Sequence, residues 1–383
     1  MPQSKKSSSQ PCLFYADSES DADVYYLSGI FIPDAFALIH HRGKSTAILS
    51  QLEFDRARRA SRLDRILSFE ELRGRAVEQF EVERPRIADI IAVGARELGL
   101  KAFEVPYNFP AGLAEGLRGH GLAITVSAEA LVPQRLQKSD TEARAIRKAN
   151  DASAAGLRAA ERALKAATIV NGRLKLDGKP LTSERLRFLV DVACLEAGAA
   201  ASLTICAGGS QACDPHERGS GPLRANELII VDVFPRASAS GYHGDMTRTF
   251  LKGRPSEAQK ALVETVRLAQ FAALEAVKPG VKTATVHAAV EKVFADGGYE
   301  TGLVDGRRQG FIHSTGHGLG LEVHEAPRLS PNSDGRLSKG MVFTVEPGLY
   351  YPGIGGCRFE DVVRVETGGY EPLSKYPYNW CLK

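Results

Sequence analysis

The sequence predicts an α+β protein of two domains, and three observations lead to this prediction. At 383 residues, the chain is longer than a single hydrophobic core usually grows. Short apolar runs alternate with charged helical stretches up to Val132, and a long amphipathic helix starts soon afterwards. Beyond that helix, helical blocks are followed by pairs of apolar strands, which is typical of an α+β core.

Composition and charge favour a soluble globular protein. Hydrophobic residues make up 43% of the chain, and 49 basic side chains nearly balance 46 acidic ones. The net charge of +3 provides no broad cationic surface, so nucleic acid is not expected as a partner. No apolar run reaches membrane-spanning length, and Lys5 and Lys6 are followed by serines and acids instead of a signal-peptide core. We therefore expect a cytoplasmic protein with no membrane partner.

Several reactive side chains occur without forming a recognisable site. His40 and His41 are adjacent but have no acidic or histidine cluster around them, which favours a structural or surface role. The sequence contains no C-x-x-C pair, which predicts reduced and mostly buried thiols. Cys206 and Cys213 are close enough in sequence to approach each other in one loop. The six cysteines are Cys12, Cys194, Cys206, Cys213, Cys357 and Cys381.

The domain boundary is predicted near Pro133. Apolar runs such as ALIHH and TAILS, mixed with the helical stretch EFDRARRASRLDRI, predict an α/β domain over residues 1–135. The second domain, residues 136–383, opens with Ser139 and Asp140 as a helix cap before the long amphipathic helix.

The second domain repeats one order of elements. Helical patterns cover Thr182–Ala197, Ser256–Val277 and Thr283–Phe294. Strand patterns are ELIIVDVF, GYHGDMTRTFL, MVFTVEPGLY and CRFEDVVRV. Helical blocks followed by antiparallel strand pairs suggest a pseudo-symmetric core, although the sequence contains no clean repeat.

Five carboxylate or imidazole side chains lie on or beside these strands. Oxygen ligands with a single imidazole suit manganese, cobalt, iron or zinc. Carboxylates that bridge allow two such ions to lie close together and to activate water at neutral pH. The five residues are Asp232, Asp245, His317, Glu346 and Glu360.

Taken one at a time, these acids have simpler interpretations. Asp232 follows an apolar strand and is costly to bury alone, but it is also suited to a capped or exposed strand end. Asp245 is followed by Arg248 and two threonines, which would satisfy it as a salt-bridged turn. Arg358 precedes Glu360 by two positions on one strand face, where it would either neutralise that carboxylate or hold a substrate group.

The histidines give the sharpest local signal. His313, His317 and His324 fall in FIHSTGHGLGLEVHEAP, whose glycines bring backbone and imidazoles close together. A catalytic role is favoured for the group, while His313 by itself fits a structural role equally well. His216 lies in a loop rich in Gly, Pro and Ser before the strand that carries Asp232, and both roles are open for it.

The ligand order Asp, Asp, His, Glu, Glu resembles the pita-bread metallopeptidases, which include methionine aminopeptidases, Xaa-Pro aminopeptidases and prolidases. The resemblance covers residues 139–375, and its specific pieces are IIVDVF, GDMTRTF, HSTGHGLGLEVHE, VEPGLY and RFED. The proline-specific branch is favoured by the His-x3-His-x6-His spacing, by Arg358, and by a preceding domain of the creatinase type at residues 1–135.

The resemblance implies hydrolysis of Xaa-Pro bonds in dipeptides or at peptide N-termini. It implies two divalent metal ions, manganese first and cobalt or zinc as alternatives, with Asp245 and Glu360 bridging them. It also implies a homodimer. The five residues named above would be the metal ligands, and the residues expected to contact substrate or move protons are His216, His313, His324, Glu346 and Arg358.

One departure from the family pattern affects the hairpin between the two aspartates. The family usually has Asp-x-Gly there, whereas this chain reads DVFPRASASGYHGD and is two residues longer. Because an even insertion preserves the face on which Asp245 lies, the metal site is expected to survive. Two alternatives share the fold: a metal-free amidinohydrolase of the creatinase type, and a binding protein without catalysis. The intact ligand set argues against both.

Overall fold

The computed structural model describes residues 10–383, and its backbone divides into two units with the boundary between Pro133 and Gln134. The absence of an export signal was predicted from Lys5 and Lys6, which lie outside the described residues. Within residues 10–383, every helix is too short or too polar to serve as a membrane span.

The first unit is built on one mixed sheet. Its elements are β1 (Cys12–Ala16), α1 (Ala22–Ser28), β2 (Phe36–His41), β3 (Lys44–Leu49), α2 (Gln51–Ala60), β4 (Arg65–Ser68), α3 (Phe69–Phe80), α4 (Ile87–Glu97), β5 (Ala102–Val105), α5 (Ala111–Gly119) and β6 (Ala123–Val126). The strands pair in the order β4-β3-β2-β1-β5-β6. Alternation along β1 directs Leu13 into one apolar cluster and Phe14 into another, so both faces of the sheet are buried.

A 3₁₀ turn, Pro133–Leu136, spans the boundary between the units. The second unit contains the remaining helices and strands. They are α6 (Asp140–Ala166), β7 (Thr168–Val170), β8 (Arg173–Leu176), β9 (Lys179–Pro180), α7 (Ser183–Glu196), β10 (Ala199–Ala200), β11 (Ile205–Gly208), β12 (Ile229–Val233), β13 (Arg236–Ala237), β14 (Met246–Lys252), α8 (Glu257–Glu275), α9 (Thr283–Asp296), β15 (Gly302–Val304), β16 (Arg307–Gln309), β17 (Gly316–Gly318), β18 (Glu325–Leu329), β19 (Val342–Val345), β20 (Gly348–Tyr351), β21 (Gly355–Arg358), β22 (Asp361–Glu366), β23 (Gly369–Pro372) and β24 (Cys381–Leu382).

This unit has two halves of similar design. In the first, α6 and α7 pack on the sheet β11-β12-β14-β24 around a cluster that contains Leu157 and Val231. In the second, α8 and α9 pack on the sheet β18-β17-β19-β22-β23 around a cluster that contains Val266 and Phe343. The prediction of an α+β core is confirmed, and α6 begins at the predicted cap, where Ser139 forms a capping box with Glu142.

Two strands predicted as continuous are each divided in the structure. The segment MVFTVEPGLY forms β19 and β20, which are separated at Glu346 and Pro347, and CRFEDVVRV forms β21 and β22, which are separated at Phe359 and Glu360. Proline has no backbone N–H to continue a ladder, which accounts for the first break. Both candidate glutamates therefore lie between strands, where the chain changes sheet and a side chain is free of the strict alternation of a strand.

Two glycines in α5 allow a matched test of the packing of the first unit. An alanine Cβ at position 116 would lie 2.7 Å from the Cβ of Ala88, whereas one at position 112 would meet nothing within 4 Å. We expect Gly116→Ala to lower the free energy of unfolding by about 1–3 kcal/mol through overpacking. Gly112→Ala should leave it unchanged or raise it by up to about 1 kcal/mol. Urea unfolding followed by circular dichroism measures both, and equal shifts would contradict this packing.

Candidate metal centre

The two candidate aspartates come from neighbouring strands of the first half. Asp232 is the penultimate residue of β12, and Asp245 immediately precedes β14. The antiparallel register places Asp232 opposite Thr247, so both carboxylates enter one buried region, where they are 7% and 3% exposed. The backbone N–H of Asp245 donates to Asn150 Oδ1 at 3.0 Å, which fixes the start of β14 against α6.

The long hairpin between the aspartates is anchored along its length. Its short strand β13 pairs with β10, and the Tyr242 hydroxyl donates to Glu142 Oε1 at 2.8 Å. The His243 backbone N–H donates to the Gly320 carbonyl at 2.8 Å. The hairpin therefore forms contacts of its own, and Asp245 remains in the cluster with the other candidates.

The other three candidate ligands come from the second half. His317 is the central residue of β17, Glu346 follows β19 and Glu360 precedes β22. His317 Nε2 lies 3.2 Å from Glu346 Oε1 and 3.8 Å from Asp245 Oδ2, so side chains of the two halves meet here. Glu360 is joined to the first half as well, because the Thr247 hydroxyl donates to its Oε2 at 2.7 Å.

Glycines on both sides of His317 permit this close approach of strands. A Cβ on Gly316 would lie 1.9 Å from the Thr344 carbonyl oxygen, and one on Gly318 would lie 2.1 Å from the Ala326 carbonyl oxygen. Neither position has room for any side chain. The glycine-rich pattern around His317 is therefore a packing requirement of β17 against β18 and β19.

The cluster concentrates negative charge in a buried volume. Burial, followed by repulsion from Glu360, Asp232 and Glu346, raises the pKa of Asp245 well above its usual value. Burial, followed by repulsion from Glu346 and Asp232, raises the pKa of Glu360 to about 8. Burial opposes a charged His317, but its hydrogen bond and charge interaction with Glu346 prevail and raise the pKa of His317 to about 9. Asp245 and Glu360 therefore lack enough positive charge around them to be ionised together.

The donor set fits a divalent metal centre. Ligand atoms of Asp245, His317 and Glu360 all lie within 4.8 Å of one another. Asp232 Oδ1 is buried and accepts no hydrogen bond from the described residues, which is costly for a carboxylate oxygen unless a cation binds it. Carboxylate oxygens with one imidazole are ligands for manganese, cobalt or zinc. The five candidate residues would hold the metal.

Arg358 belongs to a buried network behind Asp232. It is 3% exposed, its Nη2 donates to Asp232 Oδ2 at 2.7 Å, and its Nη1 donates to the Tyr350 hydroxyl at 3.1 Å. The same hydroxyl lies 2.8 Å from His313 Nε2. Burial lowers the pKa of His313 to about 4, so its imidazole is neutral at physiological pH. Arg358 therefore forms its ion pair with Asp232, and the Tyr350 hydroxyl connects Arg358 to His313.

His216 and His324 are exposed, unlike His313. The ring of His324 lies edge-to-face on the ring of His317, with centroids 4.3 Å apart. His216 is close enough to His313 and His324 to contribute to the lowered pKa of both. The structure therefore brings the predicted histidines near one another and near His317, with His216 and His324 open to solvent.

Sequence reasoning missed three residues that hold this site in place. Thr247 bonds Glu360, Asn150 bonds Asp245, and Tyr350 bridges Arg358 and His313. Thr247 and Tyr350 occur in the motifs GDMTRTF and VEPGLY, so they were within reach of a motif argument. Asn150 is far away in sequence on α6, and its role depends on tertiary packing.

Comparison with known proteins gives one consistent result. The chain matches the model of metallopeptidase family M24 over residues 144–367. It is 38% identical over 173 residues to a Xaa-Pro dipeptidase of Pyrococcus furiosus, and this match covers 45% of the chain and 47% of the relative. The chain thus spans about half the length of the curated relatives that it matches first.

Similarity to solved structures extends over both units. The prolidase of Pyrococcus horikoshii OT3 matches with a TM-score of 0.77 and 26% identity, covering 97% of this chain and 95% of that one. A Xaa-Pro dipeptidase from Bacillus anthracis matches in fold with a TM-score of 0.82 at 23% identity, covering 98% and 95%. The match to the family model over residues 144–367, more than half of the chain, establishes that the chain belongs to metallopeptidase family M24.

Proposed function

We propose that this protein is a dinuclear divalent-metal peptidase that hydrolyses Xaa-Pro bonds, with dipeptides as its preferred substrates. The observation that carries the proposal is the convergence of four carboxylates and His317 in one buried cluster. The names of the relatives, Xaa-Pro dipeptidase and prolidase, support the substrate class. Retention of every candidate ligand speaks against a metal-free amidinohydrolase or a binding protein without catalysis.

The ligand side chains would hold two ions, for which we propose manganese. Asp232 would bind through its unpartnered Oδ1, while Asp245 of the first half and Glu360 of the second would share in holding the ions. When bound, the ions supply Lewis-acid polarisation of the scissile carbonyl and activation of the attacking water. Arg358 is buried and engaged with Asp232, so we assign it to orienting that ligand instead of contacting substrate.

Protons are moved by Glu346. Its side chain is 15% exposed and reaches the cluster from the break between β19 and β20, where it accepts from the Thr344 hydroxyl at 3.1 Å. There it takes a proton from the attacking water and delivers it to the proline nitrogen as the bond breaks. His324 and His216, the exposed imidazoles, donate hydrogen bonds to the developing oxyanion or to the substrate carboxylate.

Substrate specificity is tested with three peptides. The protein is stripped of metal, reloaded with manganese, and supplied with a Xaa-Pro dipeptide, a Xaa-Pro tripeptide and a Xaa-Ala dipeptide. We expect cleavage of the proline dipeptide at least about tenfold faster, in kcat/KM, than cleavage of the other two, a difference of roughly 1.4 kcal/mol in transition-state binding. Faster cleavage of the tripeptide would assign the protein as an aminopeptidase, and no cleavage of either proline peptide would reject the proposal.

Metal ligation is tested by removing single ligands. We expect Glu360→Gln and His317→Ala to weaken metal binding by at least about 100-fold, because loss of even an outer-shell partner typically costs 10–100-fold. Titration calorimetry and metal analysis of the purified protein measure the affinity and the stoichiometry. Glu366→Gln is the control, since it changes a partly exposed glutamate at the far end of β22. Wild-type stoichiometry in both ligand variants would refute the assignment.

The proton-transfer role is tested by Glu346→Gln, which keeps the size of the side chain. We expect kcat to fall by about 10²–10⁴-fold, the range typical of a lost general acid–base. The midpoint of thermal unfolding should change little, because glutamine keeps an oxygen that can accept from the Thr344 hydroxyl. Wild-type turnover in a metal-loaded variant would show that another group carries the proton.

A further inference from the structure

Two acidic residues flank His324 and are held by cations from a distant part of the sequence. The segment 319–324, which we call the His324 loop, connects β17 to β18 and contains Glu322, and Glu325 follows it as the first residue of β18. Arg135 Nη2 donates to Glu322 Oε2 at 2.6 Å and to Glu325 Oε2 at 2.7 Å. The ammonium of Lys138 pairs with the other oxygen of Glu325. Both cations precede α6, and both lie in the second unit.

The backbone that carries these cations is itself attached to the second sheet. The Lys138 N–H donates to the Gly340 carbonyl at 2.7 Å, and the Lys138 carbonyl accepts from Arg364 Nη2 at 2.9 Å. Gln137 forms an isolated bridge with Met341, the residue before β19. The cations are therefore fixed to the same sheet that carries His317, and they reach the His324 loop from a rigid base.

Burial makes this contact difficult to break. The side chain of Lys138 is 1% exposed and that of Glu325 is 8% exposed. Burial lowers the pKa of Lys138, and the charge of Glu325 opposes that shift. A buried ion that loses its partner is left uncompensated, so the two side chains stay together in any state that keeps the core folded. An exposed ion pair on the same loop would exert much less restraint.

We propose that Lys138 and Arg135 are positioning residues that hold the His324 imidazole against His317 and over the carboxylate cluster. His324 is exposed, its ring lies edge-to-face on that of His317 with centroids 4.3 Å apart, and the course of its loop sets where its backbone lies. The side-chain contacts described for the two cations are with Glu322 and Glu325, on either side of His324, so we expect their effect to reach the reaction through His324. The kinetic part of this inference rests on the proposed function, whereas the restraint of the loop does not.

The restraint is measured first, without reference to activity. Hydrogen–deuterium exchange of the full chain, read on peptides that cover 319–329, compares the wild type with Lys138→Met, Lys138→Arg and Glu322→Gln. We expect Lys138→Met to accelerate exchange of these peptides at least about tenfold by favouring local opening, and Lys138→Arg to restore most of the protection. Glu322 is 53% exposed, so Glu322→Gln cannot disrupt the core, and a smaller acceleration is expected.

A neighbouring lysine provides the matched control. Lys339 is 62% exposed and pairs with Glu366, although it lies next to the Gly340 carbonyl to which Lys138 is attached. Lys339→Met should leave exchange in 319–329 unchanged. Acceleration across the whole chain in Lys138→Met would indicate global destabilisation, and in that case Lys138→Arg and Glu322→Gln decide the outcome. Unchanged exchange of the loop in Lys138→Met and Glu322→Gln would overturn the proposal.

The kinetic arm is a double-mutant cycle with His324. We expect Lys138→Met to lower kcat about 10- to 100-fold with metal affinity unchanged within about twofold, as for lost support of an active-site group. In a His324→Ala background the same substitution should have no further effect on kcat. An equal loss in both backgrounds would overturn the positioning role. A wild type inactive on Xaa-Pro peptides would reject the proposed function instead, and the exchange experiment would still decide the restraint.

Discussion

Repulsion among buried carboxylates is the constraint on which this structure depends. Asp232, Asp245 and Glu360 are each less than a tenth exposed, and Glu346 adjoins them. In a low-dielectric interior such a group is stable only if cations or hydrogen-bond donors surround it. Arg358 and His317 supply part of this compensation, and the raised pKa of Asp245 and Glu360 shows that it is incomplete. Divalent ions would supply the remainder, which links stability and chemistry in one place.

The two halves of the second unit are joined through this cluster and through a buried arginine behind it. Arg248, on β14, is 1% exposed and donates to the Glu360 carbonyl at 2.7 Å and to Asp361 Oδ1 at 2.9 Å. The Thr247 carbonyl accepts from the Glu360 N–H at 3.1 Å, while the hydroxyl of Thr247 holds the Glu360 carboxylate. Strand β14 of the first half thereby fixes both the backbone and the side chain of Glu360, a candidate ligand of the second half.

The candidate metal ligands and the exposed histidines lie in different kinds of structure. Side chains that would hold cations are buried and come from strands or from breaks between strands, so their positions vary little. His216 and His324, which would face substrate, are exposed on loops. The hairpin between Asp232 and Asp245 is anchored through β13, which pairs with β10, and Asp245 stays close to His317 and Glu360. The salt bridges of Arg135 and Lys138 give the His324 loop part of the rigidity that a strand has by itself.

The sequence by itself determined the α+β class and named the candidate ligand set, because apolar periodicity and motif spacing are local properties of the chain. It did not determine that Glu346 and Glu360 lie at strand breaks, that Arg358 pairs with Asp232, or that Tyr350 and Asn150 support the site. The pairing of Lys138 with Glu325 was not predicted either, since most of the second unit separates the two residues in sequence. These features were decided by tertiary structure. A buried charge needs a partner, and the packing can bring that partner from any distance along the sequence.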